Sequence, residues 1–468
     1  MAQDKGGRKG IGDGDTIVAI ITPPGRGGIA ALRLAGPASL SLSGEHFSPQ
    51  GKGSIEAVPF LLRYGDFVGS GGGVIDQVMA VYMPKAKSYT GLEQVELFCH
   101  GGSQAAQLIL EELVGSGARP AEPGEFTRLA FISGRIDLTQ AEAVADIINA
   151  ETNASYVVAR EHLLGAYAEH VSKLREEMID LMSEIEASID YSEEEISGAT
   201  DAEVVSRLDR LIGQVGELAE SYSGGRVVKE GFRIAIAGRP NAGKSSLFNR
   251  LLCQERALVT PTPGTTRDYL SEWIDLGGYA VNIIDTAGLR CRGGAIERAG
   301  RESSRKILMQ AELVVWMVDV SLRRWRSSMR SDIKLLDREK TVLVGNKVDL
   351  LPESGDWSAA LSGAGLLAVS CLTGSGLRGL KRVLMEVIEE RVPDLSSSVV
   401  VTSERHRHKL GQSTKFLKKA RSLVKLAESP ELTAFELRRA VNAIDEITGR
   451  VYNEEVLDRI FSKFCVGK

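Results

Sequence analysis

The stretch FRIAIAGRPNAGKSSLFNRLL, Phe232 to Leu252, decides the architecture of the chain around it. FRIAIA reads as a strand, GRPNAGKS (Gly238 to Ser245) as a glycine-rich loop and SLFNRLL as a helix, which is the context a phosphate-binding loop requires. Glycines let backbone N–H groups turn inward around phosphate, Lys244 adds a point charge for the β and γ oxygens, and Ser245 offers its hydroxyl to Mg²⁺. A chance glycine-rich turn is the plain alternative. It does not account for Gly238, Gly243, Lys244 and Ser245 occurring together between a strand and a helix.

Downstream, YAVNIIDTAG (Tyr279 to Gly288) is an apolar strand ending in a carboxylate, so Asp285 is placed to hold Mg²⁺ through water while the Gly288 amide faces the γ-phosphate. Between the two motifs, TPTPGTTRD (Thr260 to Asp268) is a loop suited to close over the metal, with Thr266 as its ligand. The strand TVLVGNKVD ends in Asn346, Lys347 and Asp349, and a carboxylate there accepts both N–H donors of a guanine edge, which adenine does not match. LLAVSC then brings Ser370 and Cys371 to the base. This order and spacing are those of a small GTPase, and GTP is the expected nucleotide. The nucleotide set is Asn241, Ala242, Gly243, Lys244, Ser245 and Ser246; Thr260, Pro261, Thr262, Pro263, Gly264, Thr265 and Thr266; Asp285, Thr286, Ala287 and Gly288; and Asn346, Lys347, Asp349 and Ser370. Ras-like enzymes orient the attacking water with a Gln after the DTAG-type motif. Here Leu289 follows Gly288, and Glu297, in AIERAG, is the nearest carboxylate for the task. Without further context Glu297 reads as an ordinary surface residue at a helix start.

An alternating strand and helix series runs from Phe232 to about Glu390, an α/β module. At 468 residues the chain is long enough for two to four domains at roughly 100 to 200 residues each. On the N-terminal side, apolar runs at Ile17 to Ile21, Ile29 to Leu34, Pro59 to Tyr64, Val74 to Tyr82 and Gln94 to Phe98, then helical spacing from Ser103 to Val114, predict an α+β segment. Asp137 to about Ser221 reads as long helices. Leu138, Ala141, Val144, Ala145 and Ile148 form one apolar stripe, and Leu174, Met178, Leu181, Met182 and Ile185 another. Ser403 to Lys468 is helical again. Since each helical half has a stripe to bury, the simplest topology inserts the α/β module into one helical domain made of two segments. The expected division is a flexible tail over 1–14, an N-terminal domain over 15–130, a helical domain over 131–228 and 390–468, and a nucleotide domain over 229–389.

The net charge of −5 excludes a basic surface over the whole molecule, while a local basic patch remains compatible with it. Five cysteines, odd in number and without a CxxC pair, argue against a disulfide framework and a structural zinc site and point to a reducing compartment. No apolar run reaches the length of a membrane span, and MAQDKGGRKGIGDG lacks the apolar core of a secretory signal. A soluble, cytoplasmic protein is the expectation.

Stretches in every module carry a resemblance: DTIVAIITPPGRGGIAALRLAG, SYTGLEQVELFCHGG, ARPAEPGEFTRLAFISGRIDLTQAEAVADII, the motifs GRPNAGKSS, TPGTTRD and DTAGLR, and EITGRVYNEEVLDRIFSKFCVGK. On these the chain resembles the MnmE (TrmE) family of tRNA-modifying GTPases. The resemblance implies a folate-binding N-terminal domain that forms a homodimer, a discontinuous all-α domain, and an inserted Ras-like P-loop domain. It implies a flavoprotein partner, MnmG (GidA), in a heterotetramer that carries the FAD. The joint activity would add an aminomethyl or carboxymethylaminomethyl group at C5 of the wobble uridine of certain tRNAs. A tetrahydrofolate derivative, in its 5-formyl or 5,10-methylene form, would supply the carbon. Folate contacts fall on Arg33, Glu96, Arg135 and Lys468; a pterin edge suits a carboxylate such as Glu96, and its glutamate tail suits cations. The family pattern gives K⁺ to Asn241, Thr260, Thr262 and Thr265, where a cation takes the place of an arginine finger, and gives water positioning to Glu297. RCRGGA, before Glu297, lacks the acidic residues usual in the family.

Taken alone, Arg33 and Arg135 read as surface salt-bridge residues. Cys465, near Lys463 and Lys468, is either a reactive, catalytic thiol or a small apolar residue packed beside the folate site. Cys99 reads as core and His100 as a hydrogen-bonded structural histidine, with a place in the lining of the folate site as the alternative. The basic run Arg405 to Lys425 reads as a solvated helix face, with RNA or partner contact as the alternative. A GTP-dependent ribosome-assembly switch of the Era type shares the nucleotide motifs and is the alternative function; such a switch needs neither the folate-like N-terminal stretch nor the CVGK ending.

Overall fold

In the computed structural model of the chain, the residues described are 14–51, 53–190, 200–254, 256–257, 270–286, 307–334, 336–352, 357–392 and 399–468. They form two compact units, Met1–Ala145 with Asp445–Lys468, and Asp146–Ile444. The expected tail over 1–14 lies, but for Gly14, outside the described residues.

The first unit is built on a seven-stranded sheet: β1 (Ile17–Ile20), β2 (Ile29–Ala35), β3 (Phe47–Pro49), β4 (Arg63–Val68), β5 (Val74–Met83), β6 (Gln94–His100) and β7 (Arg119–Pro120), in the order β3-β4-β5-β6-β2-β1-β7. All pairings are antiparallel except β1 with β7. One face buries Leu32, Leu34, Val78 and Leu97 against Ala106, Ile109 and Leu113 of the helix Ser103–Gly115. The other buries Ile17, Ala19 and Ala35 under Phe126 and Leu129 of the helix Glu125–Ile132. Both faces are covered, so β2 reads as a nearly continuous apolar run, IAALRLA, and its one charged residue, Arg33, stands out. The strand expected at Pro59 to Tyr64 is shifted: β4 begins at Arg63 and shares only Arg63 and Tyr64 with that run, and Phe60, Leu61 and Leu62 are exposed, with Phe60 in the left-handed region at φ 64°. The stripe expected through Ile148 also ends early. Leu138 and Ala141 are buried against Leu457, Phe461 and Phe464 with Val144 and Ala145 at the margin, whereas Ile148 is exposed.

In the second unit, β8 (Phe232–Gly238), β9 (Arg256–Ala257), β10 (Leu270–Leu276), β11 (Tyr279–Asp285), β12 (Leu313–Asp319), β13 (Thr341–Asn346) and β14 (Leu367–Ala368) make a sheet in the order β14-β13-β12-β8-β11-β10-β9. The five strands β14-β13-β12-β8-β11 run parallel, and β10 and β9 follow antiparallel. LLAVSC yields only the two-residue β14. Around this Ras-like α/β module lie helices from both sides of the insertion. Asp201–Glu220 starts on a reciprocal capping box between Thr200 and Glu203 and buries Val204, Leu208, Leu211, Val215 and Leu218. It packs along Glu404–Lys425, which buries Leu410, Leu417 and Ala420, so helices from the two sequence segments share one core. The stripe Leu174, Met178, Leu181 and Ile185 is buried in the helix Ala166–Asp190. The return from the α/β module is gripped closely: the Val401 amide donates to Ser221 Oγ at 3.0 Å, and a Cβ on Gly225 would sit 2.1 Å from the Val401 carbonyl oxygen.

Candidate functional site

The phosphate loop leaves β8 at Gly238, where φ is 141° and a Cβ would lie 2.4 Å from the Met317 carbonyl oxygen of the neighbouring strand. Asn241 is left-handed at φ 60°, and Gly243 at φ 100° leaves no room for a side chain, since a Cβ there would be 2.1 Å from Asn346 Nδ2. Lys244 opens the helix Lys244–Gln254 and is buried; its Nζ donates to the carbonyls of Gly238 at 3.1 Å and Arg239 at 2.9 Å. Ser245 Oγ donates to Asp285 Oδ2 at 2.7 Å, and Asp285 is fully buried at the end of β11. A hydroxyl beside a carboxylate is an all-oxygen donor pair that suits Mg²⁺. Thr286 Oγ1 donates to the Ile236 carbonyl at 2.9 Å, tying the end of β11 to β8.

The base end is joined to the phosphate end by Asn346. Its Nδ2 donates to the Ala242 carbonyl at 2.8 Å, and its Oδ1 accepts from the Cys371 amide at 3.0 Å. Asp349 Oδ1 accepts from Ser370 Oγ at 2.5 Å, and that hydroxyl accepts from the Thr373 amide at 3.1 Å, which fixes the carboxylate's orientation. Lys347, left-handed at φ 70°, is ion-paired to Asp319 Oδ2 at 2.6 Å. Burial opposes the Asp319 charge, but Lys347 and the hydroxyl and amide of Ser321 outweigh it and hold the carboxyl below its ordinary range. Cys371 is buried, and burial pushes its thiol up to about 11.

Of the nucleotide residues read from the sequence, Asn241, Ala242, Gly243, Lys244, Ser245, Ser246, Asp285, Thr286, Asn346, Lys347, Asp349 and Ser370 are described, and the bonds above tie most of them into one site. Thr260, Pro261, Thr262, Pro263, Gly264, Thr265, Thr266, Ala287, Gly288 and Glu297 lie outside the described residues. Asp319 was not singled out, although LVVWMVD is an apolar strand ending in a carboxylate, the same signal that marks Asp285. Arg250 was also missed. Its guanidinium donates to the carbonyls of Cys371 at 2.9 Å and Leu372 at 2.5 Å, holding the base loop.

In the first unit, Arg33 and Glu96 are register partners on β2 and β6, 2.8 Å apart, and Gln94 Nε2 adds a second bond to Glu96 Oε1 at 3.0 Å. The Arg33 guanidinium lies 5.4 Å from the Tyr89 ring centre and 5.5 Å from that of Phe126. Burial raises the Tyr89 phenol, against the opposing effects of Thr127 and Arg33. The Phe126 amide donates to the Lys468 carbonyl at 3.1 Å, and a Cβ on Gly467 (φ 97°) would lie 2.8 Å from the Ile20 carbonyl oxygen. Arg135 donates to the Ala86 carbonyl at 3.3 Å, and its stem passes near Gly91. Arg33, with Glu96 paired to it, and the Lys468 backbone thus meet Phe126, while Arg135 reaches from beyond the helix Glu125–Ile132 to the loop that carries Tyr89. Tyr89, Gln94 and Phe126 gave no signal in the sequence that set them apart from core. The Cys465 side chain is exposed, not packed, while Cys99 is buried with its thiol pushed up to about 11 by burial. His100 Nδ1 meets Asp76 Oδ1 at 2.7 Å.

Among the described residues no group of three or more His, Cys, Asp or Glu is placed to hold a metal ion, and no helix is long and apolar enough to cross a membrane.

Residues 16–135 match the family model described as the GTP-binding protein TrmE N-terminus, and residues 138–465 that of the MnmE helical domain. The tRNA modification GTPase MnmE of Carboxydothermus hydrogenoformans is 38% identical over 459 residues, 97% of this chain and 99% of its own. That of Symbiobacterium thermophilum is 40% identical over 463 residues, with the same shares covered. Among solved structures, the G domain of the T. maritima FeoB iron transporter is 26% identical, covering 34% of this chain and 99% of that one, with a TM-score of 0.26.

Proposed function

The chain belongs to the MnmE family of tRNA modification GTPases, and from that premise we propose that it binds and hydrolyses GTP in the modification of tRNA. The observation that carries this reading is a set of bonds at the sequence-predicted positions: Ser245 to Asp285 on the phosphate side, Asn346 between the Ala242 carbonyl and the Cys371 amide, and Ser370 to Asp349 on the base side. Asp349 accepts the two N–H donors of guanine with a carboxylate already oriented by Ser370. Lys244 exchanges the carbonyls of Gly238 and Arg239 for the β and γ oxygens when phosphate enters. Ser245 and Thr266 would hold Mg²⁺, with Asp285 orienting the Ser245 hydroxyl, and the ion would neutralise charge on the phosphates. Asn241, Thr260, Thr262 and Thr265 would hold K⁺, which would offset charge where other GTPases insert arginine. Glu297 orients the attacking water in place of the Gln that Leu289 replaces.

The finer reading adds a tetrahydrofolate derivative at Arg33, Glu96, Arg135 and Lys468. A carboxylate flanked by a guanidinium and two aromatic rings suits a flat pterin with an amide and amino edge, and this supports the assignment. A homodimer would act in the cytoplasm with the flavoprotein MnmG, which brings the FAD, to place an aminomethyl or carboxymethylaminomethyl group at C5 of the wobble uridine. Cys465, being exposed, is open to chemistry there. The test pairs analysis of wobble uridines in cells lacking the chain with GTP turnover by the purified protein. Loss of the modification and measurable turnover are expected; intact uridines would overturn the tRNA reading, and absent turnover the GTPase reading. Turnover should also rise strongly when sodium is replaced with potassium, and equal rates would sink the cation assignment.

A further inference from the structure

The helix Glu404–Lys425 carries the most lopsided charge in the chain. From Arg405 to Lys425 the sequence RHRHKLGQSTKFLKKARSLVK holds eight Lys and Arg and no Asp or Glu, in a chain whose net charge is −5. Its buried stripe, through His406, Leu410, Ser413, Leu417 and Ala420, faces the core, which turns Lys415, Lys418 and Lys419 outward. Lys415 and Lys418 have no ion-pair partner among the described residues, while Lys419 reaches Glu436 of the adjoining helix Pro430–Thr448 at 2.5 Å.

Aromatic surface lies beside these cations. The Arg439 guanidinium sits 4.1 Å from the ring centre of Phe416 and 5.7 Å from that of Phe435, and Phe435 is 57% exposed. Glu436 is buried and already shared by Lys419 and Arg439, so it offers little negative charge to solvent. Glu428 lies in the turn between the two helices, and Glu431, one turn before Phe435, is exposed and is the acid that flanks the ring. Exposed cations beside an exposed ring and a planar guanidinium are what single-stranded RNA requires: charge for phosphates and flat faces for bases. A protein partner of acidic character would meet the lysines but leave the Phe435 and Arg439 faces without a matching plane.

We propose that this face contacts the tRNA, with Lys415, Lys418 and Lys419 on backbone phosphates and Phe435, beside Arg439, stacking on an unpaired base. The proposal rests on the tRNA reading above. It is tested on the full chain by binding to an unmodified tRNA transcript over a range of salt, with GTP turnover and thermal melting measured on every variant. The double substitution Lys415→Ala and Lys418→Ala should weaken binding and lower the slope of log affinity against log salt by about 2. Phe435→Ala should weaken it roughly 5- to 150-fold, the range for one stacked base, and Phe435→Trp should restore it. GTP turnover should stay at the wild-type rate throughout. Wild-type binding left unchanged by all these substitutions would overturn the proposal alone. Should they spare tRNA binding yet abolish modification in the reconstituted reaction, the face belongs to a protein partner and the proposal falls. A wild-type chain that binds no tRNA at all would remove the tRNA reading with it.

Discussion

Single residues in the nucleotide site are constrained from two sides, by backbone conformation and by a neighbour already in place. Gly243 combines φ 100° with only 2.1 Å to Asn346 Nδ2, so Gly243→Ala has to displace the side chain that bridges the phosphate and base loops. We expect a loss on the order of 1–3 kcal/mol in denaturant unfolding, together with loss of measurable GTP binding in titrations. Asp349→Asn tests the base reading by chemistry, not by stability. An amide presents a donor where the carboxylate presents an acceptor, so preference should move from GTP toward the xanthine nucleotide, read by competition binding. Retained preference for GTP would remove Asp349 from recognition. Asp319 makes a pH prediction. Its carboxyl is depressed in the folded chain, so its contribution is complete above the unfolded value, near about 3.9, and is lost as pH falls through the lower folded one. Asp319→Asn should therefore narrow the difference from wild type only below about pH 4, in acid titrations followed by circular dichroism.

At the level of elements, what was readable followed from periodicity and from glycine. The loop between β8 and the helix Lys244–Gln254 was legible because strand, Gly-rich turn and helix each left their own mark within twenty residues. The helix Ser39–His46 was not: SLSLSGEH alternates like a strand, yet it is helical, with Ser39 and Ser43 buried and their hydroxyls satisfied by the Gly36 and Ser39 carbonyls, a local arrangement that side-chain period does not reveal. At Pro59 to Tyr64 the apolar residues that suggested a strand lie largely in solvent, since apolar composition marks a surface as readily as a core when the sheet starts four residues later. The aromatic surround of Arg33 comes from residues 56 to 93 positions away and is a product of tertiary structure alone. The pairing of Asp201–Glu220 with Glu404–Lys425, by contrast, agrees with the expectation that two helical segments form one domain, although the stripes named for it, through Leu138 and Leu174, lie on other helices. Leu417 is fully buried there, so Leu417→Ala should cost about 2–5 kcal/mol in chemical denaturation, as a core truncation does. A surface-sized loss of a few tenths would argue that the two segments do not share a core.

Across the whole molecule, the first unit draws on both ends of the described chain. Leu457 and Phe461 of the helix Glu454–Phe461 are buried with Phe131 and Leu138, and Gly124 has no room for a Cβ because the Phe461 carbonyl oxygen would lie 2.7 Å away. Removing residues 445–468 should therefore destabilise the sheet of the first unit, seen as earlier proteolysis between residues 14 and 145, while GTP turnover by the second unit persists. This arrangement also sets a clock on synthesis. The ribosome delivers Met1–Ala145 first, yet the residues that close its core follow only after some 300 others. At about 5–20 residues per second the half-finished unit waits roughly 15 to 60 s, with the apolar flank of Phe131 and Leu138 uncovered, which makes it a natural client for chaperones on the nascent chain.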